Sequence, residues 1–212
     1  MVEGAPIEID EAPFSLTPEE PEPEPTEPPS KVRTVVLASL LVVALAGAGA
    51  LGYFAWNVNS QRNTTLSAPP QVGSLQLNSS EDAAATAEYL QGALSAEISM
   101  DKTVGGVYGS TEGKNVLFFG GTTLLWSPEK DLDTSFELIS DEEGAVTGLH
   151  EVEAGDYGGV MKCGTTHSEG TDLTVCGWAD HGSLALAMFP DQTEAAAAPL
   201  MLEFRQATQT RD

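Results

Sequence analysis

The residues best able to do chemistry are concentrated in one stretch, residues 163–182, which reads CGTTHSEGTDLTVCGWADHG. It holds both cysteines of the chain, Cys163 and Cys176, and two of the three histidines. Such residues could form a thiol redox site, a zinc site or a disulfide. A redox pair typically has the spacing Cys-x-x-Cys, and a structural zinc site needs four ligands at short spacings. Because these cysteines lie 13 residues apart without paired histidines, the spacing favours a structural disulfide.

The two cysteines fall in consecutive strand-like runs that are separated by a Ser-Glu-Gly turn sequence. If Cys163 and Cys176 are opposed in an antiparallel hairpin, the residue numbers of any two facing residues add up to 339. Met161 then faces Trp178 beside the cysteines, and residues 168–171 form a four-residue turn. An extracytoplasmic location would let the pair oxidise, and closing a loop of this size stabilises a fold by about 3 kcal/mol.

The histidines, His150, His167 and His181, are the candidate catalytic bases. The hairpin register places His167 opposite Asp172. His181 follows Asp180 in the sequence WADHG, which favours a turn in which the aspartate bonds backbone amides and the glycine takes a positive φ. Alternatively, Asp180 orients His181 as a base, although no nucleophile that would complete a triad is identifiable. A hydrolase would require at least two of the histidines in one cleft.

A calcium-loop pattern occurs in residues 131–142. The residues at its ligand spacings are Asp131, Asp133, Ser135 and Glu142. The sixth position, which is glycine in calcium loops, is Phe136, and Ser135–Ile139 has the composition of a strand. We therefore expect no calcium site here, and for the whole protein we expect no metal, no cofactor and no catalytic residues.

The charge of the whole chain limits its partners. Its 212 residues include 32 acidic and 9 basic residues, for a net charge of −23. Such a chain repels phosphate backbones, so nucleic acid is not an expected partner.

One segment, residues 34–56, has no charged residue and is long enough to cross a bilayer as a helix. Lys31 and Arg33 precede it, and aromatic residues at 53, 54 and 56 end it. The positive-inside rule then predicts a cytoplasmic N-terminus and an extracytoplasmic C-terminal part. The alternative is a cleaved signal peptide, because Ala46-Gly47-Ala48 and Ala48-Gly49-Ala50 resemble cleavage sites. The apolar stretch is longer than a usual signal core and follows a 33-residue leader, which favours the membrane span.

The segments that flank the span are polar. Residues 13–30 interleave proline with glutamate, and residues 1–33 are predicted to be a disordered cytoplasmic tail. Residues 57–78 contain a proline pair and are predicted to be a linker that holds the domain off the membrane.

Residues 79–210 are predicted to form one extracytoplasmic α+β domain. A helix over 81–98 has capping-box spacing from Ser79 to Asp82 and an apolar stripe at 83, 87, 90, 94 and 98. Seven strand-like runs follow, at 104–109, 115–125, 135–139, 145–152, 158–164, 172–179 and 183–189. A C-terminal helix is expected after Phe189, capped by Asp191, lined by residues 200, 204 and 207, and kinked or divided at Pro199. The helices are expected on one face of an antiparallel sheet.

The sequences GGVMKCG (158–164) and VCGWADHGSLALAMF (175–189) resemble a group of uncharacterised single-pass membrane proteins of high-GC Gram-positive bacteria. The resemblance covers the last third of the chain. It implies an acidic or proline-rich tail, one membrane span and an extracytoplasmic domain that ends in a Cys-x-Trp-Ala-Asp-like strand and an alanine-rich helix. It implies no activity.

Two classes of function follow. The first is a non-enzymatic envelope module that binds a protein, a peptide or a wall component, and an exposed apolar groove between the helices and the sheet would favour it. The second is a small extracytoplasmic hydrolase that uses the histidines with acidic neighbours. We expect the binding module.

Overall fold

The computed structural model describes residues 31–110, 115–140, 145–168 and 171–211. The predicted disordered tail therefore lies outside the described residues, except for residues 31–33, which are helical. By its internal contacts the chain divides into two units at Gly47/Ala48, within the first helix. The described part of the first unit is helical, and the folded domain belongs to the second unit.

The first helix, α1 (Lys31–Gln61), is apolar and long enough to cross a membrane. Its 31 residues extend past the predicted span of 34–56 because residues 57–61 continue the helix. Val58 and Gln61 are buried against the rest of the second unit. The end of α1 is therefore part of the folded domain.

The fold class is confirmed as α+β. Within the described ranges, eight antiparallel strands form one sheet in the order β2-β3-β4-β5-β9-β8-β7-β6, and β1 pairs with β10 in a separate two-stranded sheet. The strands are β1 (Thr64–Leu66), β2 (Gln71–Val72), β3 (Leu75–Leu77), β4 (Lys102–Gly109), β5 (Asn115–Thr122), β6 (Thr147–Val152), β7 (Val160–Ser168), β8 (Thr171–Ala179), β9 (Ser183–Pro190) and β10 (Gln209–Arg211). The other helices are α2 (Glu81–Glu97), α3 (Pro128–Ile139) and α4 (Glu194–Thr208).

Helices cover both faces of the large sheet, so the expectation of one covered face is wrong. Phe204 of α4 packs in one core with Phe118 and Trp178. Leu94 of α2 and Phe136 of α3 pack in a second core on the opposite face. The central strands carry apolar residues in both alternating sets, as strands that are buried on two sides must.

The apolar stripe of α2 is confirmed at Ala83, Ala87, Leu94 and Ile98, which are buried, whereas Leu90 is only partly buried. Its cap begins one residue later than predicted. Ser80 is the N-cap residue, and its hydroxyl accepts a hydrogen bond from the backbone N–H of Ala83 at 3.3 Å.

The strand predicted at Ser135–Ile139 is wrong, because these residues are the second half of α3. Pro128 begins this helix and two acidic residues lie in its first turn, both of which favour a helix start. Leu132, Ser135 and Phe136 are buried at helical spacing. Residues 135–139 have the composition of a strand, but the helix that begins at Pro128, seven residues earlier, continues through them.

The linker predicted at 57–78 is also wrong, because it contributes the end of α1 and three strands. β1 pairs with β10, while β2 and β3 extend the edge of the large sheet next to β4. The proline pair is part of this packing, since the Pro69 carbonyl accepts from Tyr108 Oη at 3.0 Å and the Pro70 carbonyl accepts from Leu77 N–H at 2.9 Å.

α4 is a single helix that runs through Pro199, so of the two predicted alternatives, a kink or a second helix, the second helix is wrong. Its N-cap residue is Thr193, whereas Asp191 lies in the left-handed region at φ 55°. The buried face was predicted correctly at Phe204 and incorrectly at Ala207, which is exposed. The buried residues of α4 are Ala197, Met201, Phe204, Arg205 and Thr208.

Candidate functional site

The cysteines form the predicted disulfide. Cys163 on β7 and Cys176 on β8 are directly opposed, with a Cα–Cα distance of 4.1 Å. The predicted register is confirmed, because Met161 faces Trp178 and the pairing continues to Ser168↔Thr171. Both sulfur atoms lie in the core below α4, where the cysteine residues are fully buried. This location suits a structural crosslink.

Each histidine has a different partner. His150 Nε2 lies 2.9 Å from Glu194 Oε1. His167 Nδ1 lies 2.6 Å from Asp172 Oδ1, in the predicted register. His181 is buried, and its Nδ1 lies 2.7 Å from the Leu125 carbonyl. Among the described contacts no two histidines share a partner.

His150 lies at the exposed edge strand β6. Its Nδ1 lies 2.8 Å from the Gly148 carbonyl. This backbone contact and the charge of Glu194 raise the pKa of His150 above its ordinary value of 6.5. The pair is a surface ion pair, because the imidazole is half exposed.

Asp180 forms the turn between β8 and β9, as predicted, and does not orient His181. Its Oδ1 accepts from the backbone N–H groups of Gly182 and Ser183 at 2.8 and 2.9 Å. Gly182 does not take the predicted positive φ. Glycine is required there for space, because a Cβ atom would collide with the Gln61 carbonyl oxygen at the end of α1.

Asp180 is also the centre of a buried polar cluster that sequence reasoning missed. Its Oδ2 accepts four side-chain donors: Ser183 Oγ at 3.1 Å, Arg205 Nη2 at 2.9 Å, Gln209 Nε2 at 2.7 Å and Arg211 Nη2 at 2.8 Å. Burial lowers the pKa of Arg205, and the charge of Asp180 opposes that effect. The cluster joins the β8–β9 turn to α4 and β10. Its signal in the sequence was an arginine one position after Phe204, inside the apolar face of a helix.

The calcium-loop pattern does not form a loop, because Asp131, Asp133 and Ser135 lie on α3. Glu142 lies outside the described residues. Asp133 and Glu129 instead bind Lys162 of β7, at 2.7 and 3.1 Å. Burial acts to lower the pKa of Lys162, but the hydrogen bonds and the negative charges of Asp133 and Glu129 together outweigh it, so the pKa is raised. In the parts of the chain that the structure describes, no group of three or more His, Cys, Asp or Glu side chains could hold a metal ion.

A cleft of about 650 Å³ lies between α3 and β6. It is lined in part by Glu137, His150, Glu151 and Lys162. Among the described residues that line it, His150 is the single histidine.

An apolar groove of about 270 Å³ lies between α2 and α3. Phe119 of β5 with Leu186 and Met188 of β9 line it from the sheet. The helices contribute Tyr89, Leu90, Ala93 and Leu94 from α2, and Ser135, Leu138 and Ile139 from α3. Ser135 donates its hydroxyl to the Asp131 carbonyl at 2.8 Å, so this group is already satisfied within the helix. The side chains that line the groove are therefore mostly apolar.

Two large side chains of the groove are exposed to solvent. Tyr89 is 76% exposed and Leu138 is 38% exposed. Among the described residues outside α1, the other large exposed hydrophobic residues are Leu124 and Trp126. Isolated exposed apolar residues are common, but here they border a concave apolar surface, which is typical of binding sites.

The helices that form the groove are acidic. α2 contains Glu81, Asp82, Glu88 and Glu97 and no basic residue. α3 contains four acidic residues and a single basic residue, Lys130. Of these four, Glu129 and Asp133 are paired with Lys162. None of these acidic residues lines the groove itself, but the negative charge of the two helices is complementary to a partner segment that carries basic residues.

Comparison with known proteins gives no match. No protein-family model, no curated protein and no solved structure matches this chain. The resemblance to single-pass membrane proteins of high-GC Gram-positive bacteria therefore stays a prediction, and the functional argument rests on the geometry of the groove.

Proposed function

We propose that this protein is a membrane-anchored, extracytoplasmic binding module of the cell envelope, and that it is not an enzyme. The groove between α2 and α3 binds an apolar polypeptide segment with flanking Lys or Arg residues. The observation that carries the proposal is the exposure of Tyr89 and Leu138 beside a groove whose floor is apolar.

The size and chemistry of the groove favour a polypeptide over other ligands. Its volume of about 270 Å³ is below the roughly 300–1,000 Å³ that is usual for small-molecule sites. It suits one or two apolar side chains of a larger partner, as in the recognition of peptides by hydrophobic grooves. The acidic helices disfavour anionic ligands.

In this proposal α1 is a retained membrane span. Its first turn contains Lys31 and Arg33, and by the positive-inside rule this supports a cytoplasmic N-terminus. The packing of Val58 and Gln61 within the domain supports retention of the end of the helix. Cleavage near residue 50 would leave the exposed aromatic residues of α1 in water. The disulfide supports an oxidising compartment for the domain.

The groove can be tested by site-specific photo-crosslinking in cells. A photoreactive phenylalanine analogue replaces Tyr89 or Leu138 in the full chain, and Ala84 serves as the matched control. Ala84 is also exposed on α2 but does not line the groove. We expect both groove positions to crosslink to the same partner segment, which mass spectrometry should identify as apolar with adjacent Lys or Arg residues. Equal yields from Ala84, or crosslinks to polar segments, would contradict the proposal.

The topology is tested separately. Protease added to intact, wall-stripped cells should digest the domain and spare residues 1–30. Digestion of those residues instead would show that the orientation is reversed, and a mature protein that begins near residue 50 would show that α1 is a signal peptide.

A further inference from the structure

The end of α1 is held against the β8–β9 turn. The His181 backbone N–H donates to Gln61 Oε1 at 2.9 Å. The Phe54 ring contacts the His181 ring edge-on, with centroids 5.7 Å apart. Phe54 belongs to the aromatic end of the proposed span, and such residues lie at the level of the lipid headgroups. The β8–β9 turn therefore lies at the same level.

The segment after β5 is bonded to this turn. The Leu125 N–H donates to the His181 carbonyl at 3.2 Å, and the Thr123 N–H donates to the Gly182 carbonyl at 3.3 Å. His181 Nδ1 contacts the Leu125 carbonyl at 2.7 Å. These contacts hold residues 123–127 close to the aromatic end of α1.

Side chains of this segment alternate between the core and solvent. Leu125 is buried, whereas Leu124 is 43% exposed and Trp126 is 64% exposed. Residues 116–128 contain no charged residue, and the depression that Leu124 and Trp126 line is bordered by Glu97, Lys130 and Asp131 from outside this segment. We call Leu124 and Trp126 the lipid-facing pair. Tryptophan and leucine at such a location are typical of segments that enter the membrane interface.

We infer that the lipid-facing pair inserts into the interface of the bilayer that α1 crosses. The domain then lies directly on the membrane, with the β8–β9 turn and residues 123–127 against the lipid and no flexible spacer between them. The inference rests on the proposed membrane span, and it adds a second lipid contact to it.

Quenching of tryptophan fluorescence by brominated lipid tests this contact. The full chain has three tryptophans, Trp56, Trp126 and Trp178. It is reconstituted in phosphatidylcholine vesicles with or without bromine near the glycerol end of the acyl chains. The emission of the Trp56→Phe variant comes from Trp126 and Trp178. The emission of the double variant Trp56→Phe/Trp126→Phe comes from the buried Trp178 alone. The variant Trp126→Phe retains Trp56, and quenching of the Trp56 emission by brominated lipid reports on the membrane span.

We expect brominated lipid to reduce the Trp126 emission to an extent comparable with that of Trp56, and to leave the Trp178 emission unchanged. Iodide in the aqueous phase should quench Trp126 weakly in vesicles, although its side chain is exposed in the protein. Quenching of Trp56 without quenching of Trp126 would overturn the second contact and leave the span intact. If Trp126 is shielded from iodide yet insensitive to bromine, protein covers it and the inference is wrong. If neither Trp56 nor Trp126 responds to bromine, the span and the inference both fail.

Discussion

Replacing Asp180 with asparagine removes the charge at the centre of the buried cluster. The carboxylate is fully buried and accepts hydrogen bonds from six donor groups on Gly182, Ser183, Arg205, Gln209 and Arg211. An asparagine side chain has one oxygen and one NH₂ group. Whichever way it is oriented, the NH₂ group faces donors, so at least two hydrogen bonds are lost.

The expected loss of stability is about 4 kcal/mol, because removing one partner of a buried ion pair costs about 3–5 kcal/mol. The larger part of this cost comes from Arg205, whose guanidinium is fully buried and cannot regain water. Arg211 is more accessible and should contribute less. The cost of unsatisfied buried donors, about 1–3 kcal/mol each, overlaps with this figure and is not added to it.

The assay is urea unfolding of the full chain in detergent micelles, followed by near-ultraviolet circular dichroism. Asp172→Asn is the matched control, because it removes the same charge at an exposed position and should change the free energy of unfolding by less than about 0.5 kcal/mol. If Asp180→Asn does not fold, the milder Arg211→Met should still lower stability by about 1 kcal/mol. Equal urea midpoints for Asp180→Asn and Asp172→Asn would refute the reasoning.

Three further outcomes are expected. Replacing both cysteines with alanine should lower the free energy of unfolding by roughly 2–5 kcal/mol, and an unchanged urea midpoint would show that the crosslink is dispensable. Leu94→Asp should destabilise the domain by several kcal/mol, because it buries an unpaired charge, and unchanged unfolding would place α2 elsewhere. The hydrogen bond to the Gly148 carbonyl and the charge of Glu194 raise the pKa of His150 in the folded state. The contribution of these contacts to the stability of the fold should therefore be complete below pH 6.5, and it should be lost as the pH rises through the folded-state pKa. An NMR titration should show a lower His150 pKa in Glu194→Gln, and an unchanged pKa would exclude the ion pair.

The register of the β7–β8 hairpin was predictable because its determinants are adjacent in the chain. Two strands and a short turn leave few pairings, and the pairing of Cys163 with Cys176 selects one of them. The face of each side chain follows, since alternation places Met161 and Trp178 beside the disulfide. The helix α2 was predictable for a similar reason, because its apolar spacing extends over 17 residues.

The secondary-structure predictions were wrong where short segments are stabilised by segments far away in the sequence. β1, β2 and β3 have two or three residues each and form because β10 and β4 provide pairing partners. The strand predicted at Ser135–Ile139 is a helix because Pro128 starts it and the sheet buries its apolar face. Helices cover both faces of the sheet because its central strands are apolar on both sides. The strand pairing predicted from the sequence does not show which helix packs on which face.

By itself, the sequence determined the apolar helix, the α+β class, the hairpin register and the disulfide, because each depends on periodicity or on neighbours along the chain. Only the tertiary structure decided the candidate site and the attachment of α1. The groove requires α2 and α3 to pack side by side over β5 and β9, and the His181–Gln61 hydrogen bond joins residues 120 positions apart. Such contacts form when many weak burial and hydrogen-bond terms are satisfied together, so no local pattern of residues specifies them.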